Sequence, residues 1–264
     1  MNADQTEKLV RFQQPERSLP FLGALDESRV AGLFGLDLAA YRSLRQGFED
    51  QVRQVAADLL TDTGFADCVA RLPFMSGQRV VVIGESTTAD RMSWFEILRH
   101  VLPGDITLTN LAVSGCTTTQ ALAQVHLLAF HRPDWVLCML GANDIQRLGP
   151  EGASPLVSLE ETERNLLALR GLATGRTSAR WLWITPTTVD EERLNAYPHF
   201  QRAQITWSNT DIGRIAEFLH AQPEPTVDTR GITAGLHLED GVHLTLAGQR
   251  AVAVAVVHAL GACR

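Results

Sequence analysis

The sequence predicts a three-layer α/β/α sandwich of about five parallel strands, preceded by an all-helical segment. Three observations predict it. From Arg79 onward, short apolar runs alternate with helical stretches, and this alternation implies parallel pairing through right-handed crossovers. The first run, Arg79–Gly84, is continuously apolar and β-branched, as suits a strand buried on both faces. Before Arg79 the periodicity is helical and no convincing strand occurs. Of the 264 residues, 45% are apolar and 20% charged, ordinary globular values that exclude a disordered or collagen-like chain.

In chain order, residues 1–25 are polar with scattered apolar positions and are expected to form loops. Leu36, Leu38, Tyr41, Leu44, Phe48, Val52, Val55 and Leu59 then recur mostly at three or four residues, the mark of an amphipathic helix. Asp37 can cap its start, and Gly64 is expected to end it or begin a turn. A shorter helix over Phe65–Leu72 stops at Pro73. Strands follow at Arg79–Gly84, Ile106–Val113, Trp135–Leu140, Trp181–Thr185 and, shortest, Thr226–Thr229. Helices are expected at Asp90–Leu102, Thr118–Phe130, Leu156–Ala173, Ala203–Leu219 and Thr245–Leu260. Two parts result: a helical extension, 1–78, and a catalytic domain, 79–264.

Charge and composition remove several function classes. The formal charge is −7 and the pI about 5.6, with no basic stripe, so nucleic acid is not an expected partner. No stretch is apolar enough to span a membrane, and the first residues lack the apolar core of a signal peptide. Cys68, Cys116, Cys138 and Cys263 form no CxxC pair and are too few for a disulfide scaffold; reduced thiols and a cytoplasmic location are expected. Lys8 is the only lysine among 23 basic residues. This reads as codon bias and argues against a lysine-based mechanism.

Ligands of such folds bind beyond the carboxyl ends of the strands, and there the chemistry gathers. Ser86 follows the first strand, Gly115 the second, Asn143 the third, and Asp240-Gly-Val-His243 precedes the last helix. Singly, each has a plain alternative: Ser86 and Asn143 as helix caps, Gly115 as a turn residue, His243 as a surface histidine with a capping Asp240. Jointly they supply a nucleophile, two oxyanion donors and an acid–base pair at one end of one sheet, the set required for acyl transfer through a covalent ester. The nearby His237 raises a metal site, but no other ligands complete a zinc set; neither metal nor cofactor is expected.

These blocks, Gly84-Glu85-Ser86, Asn110…Ser114-Gly115, Gly141-Ala142-Asn143-Asp144 and Asp240-Gly241-Val242-His243, resemble those of the SGNH or GDSL hydrolases over roughly residues 79–260. The resemblance implies a flavodoxin-like sandwich and esterase, lipase or related acyl-handling activity on a small-molecule ester, without a metal. It implies Ser86 as nucleophile, Asp240 and His243 as its triad partners, and an oxyanion hole from the Ser86 N–H, the Gly115 N–H and the Asn143 side chain. Glu85 stands where that family usually has Asp, which bears on the turn aiming Ser86, and Ala112 where it usually has Gly.

Other residues have quieter readings. Trp94 and Leu98 are expected in the core, Cys116 as a small pocket or core residue, and His126 and His131 at the surface. Asp190-Glu-Glu-Arg193 reads as a solvated loop at the active-site end, where Tyr197, Phe200 and Trp207 could shape the acyl or alcohol pocket. An acyltransferase using the same acyl-enzyme is the first alternative function. A non-catalytic assembly module is the second. The extension 1–78, with the apolar stripe Leu44, Phe48, Val52, Val55 and Leu59, is expected to pack on the sandwich or to pair two subunits into a homo-oligomer, with a share in walling the pocket as a further option.

Overall fold

The computed structural model describes residues 2–18, 25–150 and 153–262. Five helices come first: α1 (Ala3–Phe12), α2 (Pro15–Ser18), α3 (Glu27–Leu33), α4 (Leu38–Leu60) and α5 (Thr63–Ala70). Then follow β1 (Arg79–Gly84), α6 (Ser86–Ala89), α7 (Trp94–Val101), β2 (Thr107–Asn110), α8 (Thr118–Ala123), α9 (His126–His131), β3 (Trp135–Met139), β4 (Arg147–Leu148) and α10 (Leu159–Arg176). The remainder is β5 (Arg180–Ile184), α11 (Glu191–Ala196), α12 (Pro198–Ala203), β6 (Ile205–Thr206), α13 (Asn209–His220), β7 (Thr226–Val227) and α14 (Leu246–Ala262).

The main sheet has the order β2-β1-β3-β5-β7, with every neighbouring pair parallel. Successive residues of each strand alternate between two apolar cores. Val80, Val82, Leu137, Met139, Leu182 and Ile184 face α7 and α14. Val81, Ile83, Val136, Cys138, Trp181 and Trp183 face the layer of α10 and α13. Trp94 and Leu98 are buried as expected. The order reverses between β1 and β3, so their carboxyl ends open the crevice where ligands bind in such sheets.

The helical stripe before the sandwich is buried against the sandwich's own helices. α4 packs on α7 and α5 on α14. Phe48, Val52 and Leu59 are buried, with Leu44 and Val55 partly so. Asp37 caps α4 by accepting the Ala40 N–H (2.7 Å). The helix ends at Leu60, and Gly64 lies inside α5 rather than ending α4.

The first 25 residues depart most from expectation. Instead of loops, residues 3–12 and 15–18 are helical; residues 19–24 lie outside the described part, as does Cys263. Asn2 and Gln5 form a reciprocal capping box at the start of α1, which satisfies two otherwise orphaned N–H groups. The expected Thr118–Phe130 helix divides into α8 and α9, and the helix expected from Ala203 starts only at Asn209. The short β4–β6 ribbon, antiparallel through Arg147–Thr206 and Leu148–Ile205, was not expected. Two-residue strands leave too few positions for a period to register.

Candidate active site

Four loops deliver the candidate residues to one cavity of about 520 Å³. Ser86, Gly115, Asn143 and His243 all line it. Gly84 ends β1 with no room for a side chain: a Cβ there would sit 2.7 Å from Thr88 Oγ1 and 2.8 Å from Thr88 Cβ. That close approach lets α6 start directly at Ser86.

The Asp240–His243 pair is built by its own loop. Asp240 is fully buried. Its Oδ1 accepts the backbone N–H groups of Val242 (3.0 Å) and His243 (2.9 Å), and its Oδ2 lies 2.9 Å from His243 Nδ1. Nδ1 bonded to the carboxylate leaves Nε2 as the second nitrogen of a half-buried ring. Between them, Gly241 adopts φ +71°, and a Cβ there would lie 2.5 Å from the Asp190 carbonyl and 2.6 Å from the Leu194 nitrogen. Only glycine fits both constraints. Among the described residues no hydrogen bond joins Ser86 Oγ to His243, a separation common before substrate binds.

The segment 190–193 is not the solvated loop expected. Asp190 caps α11 and its N–H donates to the Gly241 carbonyl (2.7 Å); Arg193 donates to the His237 carbonyl (2.7 Å). Exposed charges on α11 thus brace the loop that carries His243. His237 is buried with Nε2 2.6 Å from the Thr188 carbonyl. Among the described residues no three His, Cys, Asp or Glu side chains converge as a metal-binding group.

Glu85 and Asn143 are coupled. The Asn143 N–H and Nδ2 donate to Glu85 Oε2 (3.3 and 3.1 Å), and Nδ2 also donates to the Cys116 carbonyl (3.2 Å). Both amide hydrogens are therefore engaged. Glu85 is buried, and that burial, with the nearby Asp144 carboxylate, pushes its carboxyl up to about 8. The acid beside Ser86 is thus held largely neutral at pH 7. Burial and the same two carboxyls push the Cys116 thiol up to about 12, removing the thiolate a cysteine nucleophile would need. Asp144, also buried, ties its loop to α8 and α10 by accepting from Thr118 and Thr162.

Sequence reasoning allowed the extension a share in walling the pocket but, with residues 1–25 expected as loops, missed that α1 supplies it. Gln5, Lys8, Leu9, Phe12 and Gln13 line the cavity together with Tyr197, Phe200 and Trp207. The Phe12 ring lies 4.4 Å from the His243 ring, centroid to centroid. Lys8 Nζ donates to Asp240 Oδ2 at 2.5 Å. Tyr197, Phe200 and Trp207 pack edge to face or tilted at about 5 Å, and Trp207 Nε1 donates to the Ala142 carbonyl (2.9 Å). Two signals could have found α1: the Asn2…Gln5 spacing, a capping-box signature, and the placing of the chain's only lysine.

The profile of the GDSL-like lipase/acylhydrolase family matches residues 82–251. An arylesterase of Vibrio mimicus is 29% identical over 171 residues, spanning 56% of this chain and 82% of that protein. In three dimensions the chain is similar to a lipase/acylhydrolase of Enterococcus faecalis, with a TM-score of 0.54 at 18% identity over 70% of this chain and 95% of that one. It is also similar to an aryl esterase of M. smegmatis, with a TM-score of 0.53 at 20% identity over 68% and 96%. Both likenesses concern the fold. Among the described residues no helix is long and apolar enough to cross a membrane.

Proposed function

This chain belongs to the GDSL-like lipase/acylhydrolase family, which supports ester hydrolysis as its general activity, and from that premise we propose a serine esterase working through an acyl-enzyme on Ser86. Ser86 Oγ attacks the ester carbonyl while His243 Nε2 takes its proton. Asp240, bonded to Nδ1, fixes the tautomer and stabilises the imidazolium. The Ser86 and Gly115 N–H groups and Asn143 Nδ2 receive the oxyanion; Asn143 is pre-oriented by Glu85 and the Cys116 carbonyl. The imidazolium then protonates the leaving alkoxide, and water, activated by the same histidine, releases the acid.

The observation that carries this reading is the 2.9 Å Asp240–His243 pair opening on the same cavity as Ser86, Gly115 and Asn143. The cavity favours a neutral ester with an apolar acyl or alcohol group, because Leu9, Phe12, Phe200, Trp207 and Val242 line it. Treatment with a fluorophosphonate should add one adduct, mapped by peptide mass to Ser86. Ser86→Ala should abolish labelling and cut turnover by on the order of 10⁴-fold or more. An adduct elsewhere, or more than a tenth of the activity retained, would overturn the assignment. The acyl-enzyme could also be resolved by another alcohol; an ester or amide product formed only with an added acceptor would establish a transferase instead.

A further inference from the structure

Lys8 sits where the proposed mechanism has no use for it. Its ammonium and the His243 imidazole bond the same carboxylate oxygen, Asp240 Oδ2, at 2.5 and 2.9 Å. The other oxygen is filled by two backbone N–H groups. Four donors therefore saturate one buried carboxylate, and one of them comes from a helix 232 residues away in the chain.

We propose that Lys8 is a positioning residue of the active site, which fixes the Asp240 carboxylate and sets the pH range over which His243 is a free base. The proposal rests on the roles given to Asp240 and His243 above. A cation already on Oδ2 divides the carboxylate's charge and opposes a second cation beside it, so forming the imidazolium is less favourable than in an isolated Asp–His pair. A compact ammonium suits this place. The forked guanidinium prefers two acceptor atoms, and Oδ1 is already occupied. The placement is notable in a chain whose other basic residues are all arginines.

The ammonium is held in place from several sides. One turn along α1, Arg11 makes a two-pronged, buried pair with Asp90 (2.8 and 2.6 Å) and donates to the Leu244 carbonyl (3.0 Å). The Lys8 nitrogen lies 5.0 Å from the Tyr197 ring centre and 3.4 Å from its hydroxyl. Burial alone would lower the Lys8 ammonium's pKa, but the bond to Asp240 overrides it and raises it, so the charge persists through neutral pH. The remaining titratable neighbours do not replace it. Arg11 is committed to Asp90, and Arg193 pairs with Asp190. Glu85 lies behind Ser86, bonded to Asn143. His237 bonds the Thr188 carbonyl, and Tyr197 and His199 line the cavity wall.

Because Lys8 is the only lysine, [13Cε]lysine labelling gives a single side-chain resonance. In the unmodified chain this resonance should shift at the pH where the His243 ring titrates, and that inflection should vanish in His243→Ala. In kinetics, Lys8→Met should move the acid limb of kcat/KM upward by about one pH unit, and Lys8→Arg should recover part of that shift. A flat lysine resonance through the imidazole titration, or a Lys8→Met profile merely scaled down at every pH, would overturn the proposal. The resonance needs no turnover. A coupled titration in a protein without esterase activity would sink the esterase reading and keep this one, and the reverse pattern would do the opposite.

Discussion

Two helical segments precede residue 79, and they join the sandwich by opposite means. α4 and α5 attach through side chains that avoid water: Phe48, Val52, Ala56, Leu59 and Phe65 press on the α7 and α14 layer. α1 buries Val10 and Phe12 but is tied mainly by polar bonds. Arg11 meets Asp90, the Arg91 N–H and guanidinium donate to the carbonyls of Arg11 and Val10, and Gln14 donates to the Ala89 carbonyl. Ser114 donates to the Phe12 carbonyl. Those partners sit on the loops after β1 and β2, and with Lys8 on Asp240 they reach three of the loops that shape the cavity. Apolar packing tolerates small sliding, whereas hydrogen bonds fix direction. The flank adds stability, while the polar dock sets the position of a wall of the cavity.

The sharpest break of this contrast is Arg11→Met. It leaves Asp90, fully buried, without its cation, and losing one member of a buried pair costs about 3–5 kcal/mol. Both urea stability and kcat/KM should fall, since α1 carries Lys8 and Phe12 into the site. Stability loss with unchanged kcat/KM would show that α1 is only a flank. Phe48→Ala is the counterpart. A cavity of this kind costs about 3–5 kcal/mol, yet below its lowered Tm the variant should keep kcat/KM within about threefold, as Phe48 does not line the cavity. A much larger fall in activity would merge the two segments into one functional unit.

A smaller effect concerns the turn on which α1 docks. Folding raises the Glu85 carboxyl to about 8, against about 4.3 when unfolded. The folded state therefore keeps a proton that the unfolded chain releases, and stability declines as pH rises from about 4.3 towards 8. Glu85→Gln should flatten that slope and make the protein more stable at pH 8 by about 1–3 kcal/mol, measured by urea titration at each pH. The smallest effect is acid sensitivity confined to α1. Burial would raise the Asp240 carboxyl, but the bonds from His243 and Lys8 override it and hold it far below the usual range. Its stabilising effect is thus full above about 3.9 and fades as pH falls further. Amide exchange, corrected for the intrinsic pH dependence, should then quicken in α1 at low pH before it does in α4. Equal acceleration in both would erase the distinction.

The same contrast explains what the sequence could convey. The α4 stripe is legible because burial leaves an apolar period, and the order of β1, β2, β3, β5 and β7 follows from runs that water excludes. Ser86, Gly115 and Asn143 could be picked out because each follows the carboxyl end of a strand, and Asp240 and His243 because they stand together before the last helix. Ser86, Gly115, Asn143 and His243 line one cavity, with Asp240 buried behind His243, though the full engagement of the Asn143 amide is invisible without coordinates. α1 is not legible as a wall because its attachments are individual polar bonds to distant residues, which leave no period. Arg193 and Asp190 read as solvated for the same reason: an exposed charge that braces a neighbouring loop has the same composition as one that does not.

The pairing of Lys8 with Asp240 also orders events in time. It joins positions separated by 232 residues, and Arg11 reaches the Leu244 carbonyl at a separation of 233. During synthesis α1 leaves the ribosome long before these partners, more than two hundred residues further on, have been made. Until then Val10 and Phe12 lack part of their cover, and contacts of such long range are slow to close. The cavity therefore waits on residues made long after α1, and a chain halted short of residue 240 carries Ser86 without the loop that brings His243 to the same cavity.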